Sequence, residues 1–306
     1  MAIAEAYRRQ VQLLLRVLPY VAAEPVFALK GGTAINLFIR DLPRLSVDID
    51  LTYLPIEDRA TSLAHIDAAM KRLAAAITKG LGAKVHLGVL AQEPCVTKLV
   101  VRVGDVQIKV EVTPVSRGCV YAPEVRAVSP RVEDQFGFAE TQVVSFPDLY
   151  AGKLVAALDR QHPRDLFDVR DLLANEGVDD DLRRAFVVYI LGHNRPMSEV
   201  LGLRRLDLAA EYERGFVGMT DEAVSLETLY AAREALHAQI VGDMPLEHRR
   251  FLQSFKSGEP DWALLGVPEA ADLPAVRWKV ENLKRMDPDK RAAMIDNLAR
   301  TLGLKA

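Results

Sequence analysis

The sequence predicts an α+β fold: a mixed sheet flanked by helices over residues 1–146, followed by an all-helical domain over residues 147–306. Short runs of alternating β-branched residues occur only in the first half, and period-two alternation marks half-buried strands. From Pro147 onward almost every apolar spacing is helical. A chain of 306 residues also suits two domains of ordinary size, each able to bury its own core.

The elements follow in order. Ile3–Leu18 has helical apolar spacing, and Val26–Leu29 is a short apolar run that ends at Gly31-Gly32. Thr33–Ile39 reads as a helix entered from that glycine turn. Ser46–Leu54 alternates strictly and is a strand, and Glu57–Leu81 is a long Ala-rich helix. Lys84–Leu90, Lys98–Val103 and Val106–Thr113 are strands, the last two joined by a Gly104-Asp105 hairpin turn. Thr141–Phe146 is the final strand. Helices are then expected over Leu149–Asp159, Arg164–Ala174, Asp180–Leu191, Leu226–Ile240, Leu246–Ser257, Leu273–Leu283 and Pro288–Leu302.

Composition narrows the function. With 39 Lys+Arg against 42 Asp+Glu, the net charge of −3 argues against a protein held to nucleic acid by bulk charge. Two cysteines and six scattered histidines offer neither a disulfide scaffold nor zinc-ligand spacing. No apolar run approaches the ~18 residues of a membrane helix. The N-terminal segment carries Glu5, Arg8, Arg9 and Arg16, which reads as an amphipathic helix rather than a signal peptide, so a cytoplasmic location with no membrane partner is expected.

The chemistry concentrates in three places. Asp48 and Asp50 stand at i and i+2 of one strand, so both carboxylates emerge from one face while Val47, Ile49 and Leu51 face the core. Paired carboxylates repel, and a hard divalent cation such as Mg²⁺ or Mn²⁺ relieves that repulsion. Gly31-Gly32-Thr33 lies upstream at a strand-to-helix turn, where backbone N–H groups attract phosphate oxygens. Ile108–Thr113 alternates as well, leaving Lys109, Glu111 and Thr113 on the polar face; if this strand lies beside the first, Glu111 completes a carboxylate triad. The same residues equally suit an ordinary turn and the wet face of a sheet. Together they are the parts of a two-metal phosphoryl-transfer site. Gly152-Lys153-Leu154 lacks the flanking residues of a phosphate-binding P-loop, and no GxGxxG is present.

Lys30-Gly-Gly-Thr33, Arg44-Leu-Ser46-Val-Asp48-Ile-Asp50-Leu and Ile108-Lys-Val-Glu111-Val resemble the DNA polymerase β-type nucleotidyltransferase superfamily. The long interval from Gly32 to Asp48 suits one subgroup, the AbiEii/AbiGii toxin family, which includes the MenT toxins. Leu149–Val169, with Lys153, Arg164, Asp165 and Asp168, is similar to that family's helical motif, as are His193–Met197, Gly218–Thr220 and Trp278–Asn282. The resemblance spans nearly the whole chain. It implies a metal-dependent enzyme that moves NMP from NTP, with release of pyrophosphate, to an acceptor such as the tRNA 3′ end, as the toxin of a type IV toxin–antitoxin or abortive-infection system with a cognate antitoxin. Asp48, Asp50 and Glu111 would hold Mg²⁺ (or Mn²⁺). Lys30, Gly31, Gly32, Thr33 and Ser46 would cradle phosphate.

Lys153 would contact the phosphates with Arg164, and an aspartate of the cluster would be essential. Spacing favours Asp168 over Asp165 as the acid/base. On their own terms Arg164 and Asp168 also suit a surface i,i+4 ion pair. Two alternatives stay open: NMP transfer to a protein or small molecule, and an inactive module that binds RNA or a partner. Arg249-Arg250, Lys284-Arg285 and Lys290-Arg291 read as solvated faces, Trp262 and Trp278 as core or docking residues, and His162 as a loop histidine.

Overall fold

The computed structural model describes residues 5–202 and 204–304. The chain divides into two compact units: Met1–Ser145 with Val217–Ala223, and Phe146–Phe216 with Val224–Ala306. Among the described residues no helix is long and apolar enough to cross a membrane.

The first unit runs α1 (Glu5–Ala22), β1 (Phe27–Lys30), α2 (Gly31–Ala34), β2 (Asp48–Tyr53), α3 (Arg59–Leu81), β3 (Lys84–Val89), β4 (Val96–Val103), β5 (Val106–Val112), β6 (Glu124–Ala127), α4 (Pro130–Phe136) and β7 (Glu140–Val143). The first two residues of the expected N-terminal helix, positions 3 and 4, lie outside the described residues. The strands form one seven-stranded mixed sheet in the order β3-β4-β5-β2-β1-β7-β6. β2 pairs antiparallel with β1 and parallel with β5. Alternation sets the two faces: Ile108, Val110 and Val112 of β5 are buried, whereas Gln107 and Lys109 are exposed and Glu111 is half-exposed. α1 and α3 touch each other and pack on the sheet, α1 against β5 and β7 and α3 against β3 and β4.

Local chemistry explains these boundaries. Asp58 caps α3 by accepting the Thr61 N–H at 3.0 Å, and Gly82, with φ of +62°, ends it in the left-handed region that favours glycine. Gly104, also at φ +62°, turns the β4–β5 hairpin, and the neighbouring Asp105 carboxylate accepts from Arg9 of α1. Past α2 the helix widens into a π-helical turn over Ile35–Ile39, closed by the Arg40 N–H on the Ile35 carbonyl at 2.8 Å. β6 and α4 were not expected from the sequence. β6 is a short, largely exposed edge strand, and α4 buries only Val132, so neither carries an apolar period.

The second unit is helical: α5 (Phe146–Asp159), α6 (Pro163–Asn175), α7 (Asp180–Leu191), α8 (Met197–Val200), α9 (Ala209–Gly215), α10 (Leu226–His237), α11 (Leu246–Ser257), α12 (Pro274–Lys284) and α13 (Pro288–Thr301). α7 and α11 have the ends expected from the sequence. α8 and α9 are additional short helices, and α9 buries no residue. α10 ends earlier than expected and continues as a π-helical turn over Ala238–Gly242. Arg183 donates to the Gln239 and Ile240 carbonyls of that turn. Arg249 is no solvated residue either, because its guanidinium donates to the carbonyls of Val241, Gly242, Met244 and Leu302. His162 caps α6, its Nδ1 accepting the Arg164 N–H at 3.1 Å. Trp262 packs on Phe251 with ring centroids 4.9 Å apart, whereas Trp278 stands 56% exposed outside the core.

Candidate active site

In the first unit, the register of four strands builds one row of charges. Lys30 of β1 lies opposite Asp50 of β2, Asp50 beside Glu111 of β5, and Glu111 opposite Lys98 of β4. Laterally paired residues share a face, so these side chains form a line of cation, carboxylate, carboxylate and cation. Asp48 stands on the same face of β2, opposite Lys109. The Lys98 ammonium is 2.6 Å from Glu111 Oε1, and both side chains are about two-fifths exposed. Lys30 reaches Thr113 Oγ1 at 3.4 Å. Burial pushes the Lys30 ammonium pKa down, and the Asp50 carboxylate pulls it part of the way back.

The Gly31-Gly32-Thr33 turn presses against this row. Gly31 has φ of +74°, and a Cβ there would lie 2.5 Å from Asp50 Oδ2. A Cβ on Gly32 would meet Ser46 Oγ at 2.9 Å and Arg44 Nη2 at 3.0 Å. Both glycines are therefore needed for close approach as well as for the turn. The fully buried Thr33 donates its hydroxyl to the Asp48 carbonyl at 2.5 Å and lies 3.1 Å from Ser46 Oγ. Thr33 thus fixes the segment that leads into β2. Arg44, nearly fully buried, donates to the Leu45 carbonyl at 3.0 Å, and its backbone bridges to Thr220. The structure brings Lys30, Gly31, Gly32, Thr33, Ser46, Asp48, Asp50 and Glu111 together. Lys98 belongs with them and was missed, because only the β4–β5 register reveals it.

In the second unit, Lys153 of α5 is buried with two carboxylates of α6. Its Nζ is 2.8 Å from Asp165 Oδ1 and 3.0 Å from Asp168 Oδ2. All three side chains are nearly inaccessible, at 7%, 2% and 1% exposure. Arg160 closes the cluster from its exposed side, with Nε 2.6 Å from Asp165 Oδ2. Burial alone raises the Asp165 pKa, but the Lys153 ammonium and the Arg160 hydrogen bond outweigh it and hold the carboxyl well below the usual range. Asp168 is therefore engaged by Lys153, and the half-buried Arg164 forms no ion pair with it among the described residues.

The sequence model of the AbiEii nucleotidyl transferase toxins of type IV toxin–antitoxin systems matches residues 12–282. The chain belongs to this AbiEii family. It is a nucleotidyltransferase, and membership implies an NTP substrate and a cognate antitoxin. Among solved structures it is similar to MenT4, a nucleotidyltransferase toxin of Mycobacterium tuberculosis. The match has a TM-score of 0.60 and 18% identity, and it covers 94% of this chain and 93% of that one. A comparison with curated proteins gives no match.

For an AbiEii nucleotidyltransferase, the β2 aspartates have the donor chemistry for a divalent cation. They are two hard oxygen donors on one face, and the missing Gly31 side chain leaves space beside Asp50 Oδ2. Glu111 is held by Lys98 instead. Among the described residues no three His, Cys, Asp or Glu side chains are gathered closely enough to hold a metal.

The two clusters respond differently to substitution. Gly31→Ala forces a left-handed residue and a contact with Asp50, and should lower stability by about 1–2 kcal/mol in a denaturant midpoint. Lys153→Met leaves two buried carboxylates without their ammonium and should cost about 3–5 kcal/mol. Because the Asp165 pKa is depressed on folding, its stabilisation is complete above the unfolded value of about 3.9 and fades as pH falls below it. The stability gap between wild type and Asp165→Asn, measured by urea titration, should narrow across that range.

Proposed function

We propose that this nucleotidyltransferase transfers NMP from NTP to the 3′ end of tRNA in the cytoplasm, the terminal hydroxyl displacing pyrophosphate from the α-phosphorus, with Mg²⁺ or Mn²⁺ held by Asp48 and Asp50. The observation that supports this reading most strongly is the Lys30–Asp50–Glu111–Lys98 row with the Gly31 turn against Asp50. Asp48 and Asp50 would hold the divalent cation, which would supply positive charge to the triphosphate and acidify the attacking hydroxyl. Glu111 serves as a further ligand or base once Lys98 releases it, and the Lys98 ammonium is then available to phosphate oxygens. The backbone of Gly31 and Gly32 and the Ser46 hydroxyl bind phosphate, while Thr33 positions Ser46 and β2. Lys30 places a cation beside Asp50.

The roles proposed for the second unit follow the family resemblance. Lys153 and Arg164 neutralise phosphate charge, and Asp168 acts as acid/base in preference to Asp165, which Lys153 and Arg160 hold ionised well below the usual carboxylate range. Lys153 must then exchange part of its contact with Asp165 and Asp168 for phosphate oxygens.

Incubating the full chain with each α-labelled NTP, Mg²⁺, total tRNA and a protein lysate tests the reading. Label should appear on tRNA, vanish with EDTA, and fall at least ~10-fold in Asp50→Asn. Label confined to protein or small molecules would overturn the tRNA acceptor, and equal rates in wild type and Asp50→Asn would overturn the assignment of the site.

A further inference from the structure

A second cationic site lies wholly within the helical unit. The segment after α7, the last turn of α11 and α12 enclose a cavity of about 250 Å³. Among the described residues Lys256, Lys279, Arg195, His193, Asn194, Asn282 and Trp278 line it together with apolar residues, and no aspartate or glutamate does. Arg195 is already neutralised, with Asp159 at 2.5 Å and Glu199 at 3.3 Å. His193 has its pKa lowered, by burial first and against the pull of Asp159, which keeps it neutral near pH 7.

The two lysines are different. Lys279 donates to the His193 carbonyl at 2.5 Å, a neutral acceptor. Lys256 keeps only 8% exposure, yet among the described residues its ammonium has neither an ion pair nor a hydrogen bond. Burial pushes both ammonium groups down, and Lys279 pushes Lys256 further. The last-turn position of Lys256 in α11 favours a cation, but that gain is typically below about 1 kcal/mol and smaller than the cost of an unpaired buried charge.

We propose that this cavity binds a phosphate dianion, either free inorganic phosphate or the terminal phosphate of a larger molecule. Two ammonium groups without a carboxylate match the charge of about −1.5 to −2 that a phosphate monoester carries at pH 7. Asn282 adds an amide donor. The volume falls below the ~300 Å³ at which pockets begin to hold drug-sized ligands, so the anionic group itself is what the cavity admits. The site is independent of Asp48 and Asp50, and its test does not depend on nucleotidyl transfer.

The full chain in EDTA-treated buffer is titrated with inorganic phosphate against KCl of equal ionic strength, and followed by calorimetry and thermal unfolding. Wild type should bind saturably and rise in Tm. Without phosphate, Lys256→Met should unfold at or above the wild-type temperature, because a buried unpaired charge is gone, and its phosphate Kd should weaken at least ~tenfold. Lys279→Gln is the second variant and decides the matter if Lys256→Met does not fold. An RNA oligonucleotide with a 5′-phosphate, compared with its 5′-hydroxyl form, separates the two sources. A 5′-phosphate preference without binding of inorganic phosphate assigns the site to a polymer end. Wild type that binds neither probe, or folded variants that bind like wild type, would overturn the proposal.

Discussion

The parallel pairing of β2 with β5 sets Asp50 and Glu111 side by side, and the charges around them answer that constraint. Two like charges a few Å apart repel by several kcal/mol near a protein surface. The fold meets this with lysines at both ends of the row, Lys30 beyond Asp50 and Lys98 beyond Glu111. Gly31 adds a separate steric constraint, since a side chain there would strike the Asp50 carboxylate. Neither feature is local in sequence. The lysines depend on the antiparallel β1–β2 and β4–β5 pairings that flank the parallel one.

The lysine–carboxylate clusters of the two units differ in kind. Lys98 and Glu111 are both about two-fifths exposed, and an exposed ion pair is worth only about 0–1 kcal/mol. Such a pair neutralises Glu111 while leaving it exchangeable. Lys153 is sealed between Asp165 and Asp168, where breaking the pair leaves charge buried. The exposed pair is weak and exchangeable, whereas the buried one ties α5 to α6.

Much of the β scaffold was legible because period-two alternation is unambiguous where one face is buried. β2, β3 and β5 fall within a residue or two of the spans read from the sequence, and Gly104-Asp105 turns the hairpin as expected. The edge strand β6 and the short helices α4, α8 and α9 were not legible, since each buries too few apolar side chains to leave a period. In the site, the shared face of Asp48 and Asp50 followed from spacing alone. The partners Lys98 and Arg160 did not, because inter-strand register and the fold of the α5–α6 turn decide them. Thr33 was expected on the phosphate side, yet its hydroxyl is consumed inside the unit by the Asp48 carbonyl and Ser46.

Three lysines show why a net charge of −3 says little about local chemistry. Lys98 is exposed and paired, Lys153 is buried and doubly paired, and Lys256 is buried with no carboxylate lining its cavity. The first two environments are self-consistent without any ligand, because each cation has its compensating charge within the chain. The third is not: desolvation and a neighbouring ammonium both act against it, and the helix C-terminus offsets them only in part. A folded chain retains such an arrangement at a cost in stability, and a cost of that kind is characteristic of a site shaped for a ligand rather than for the fold.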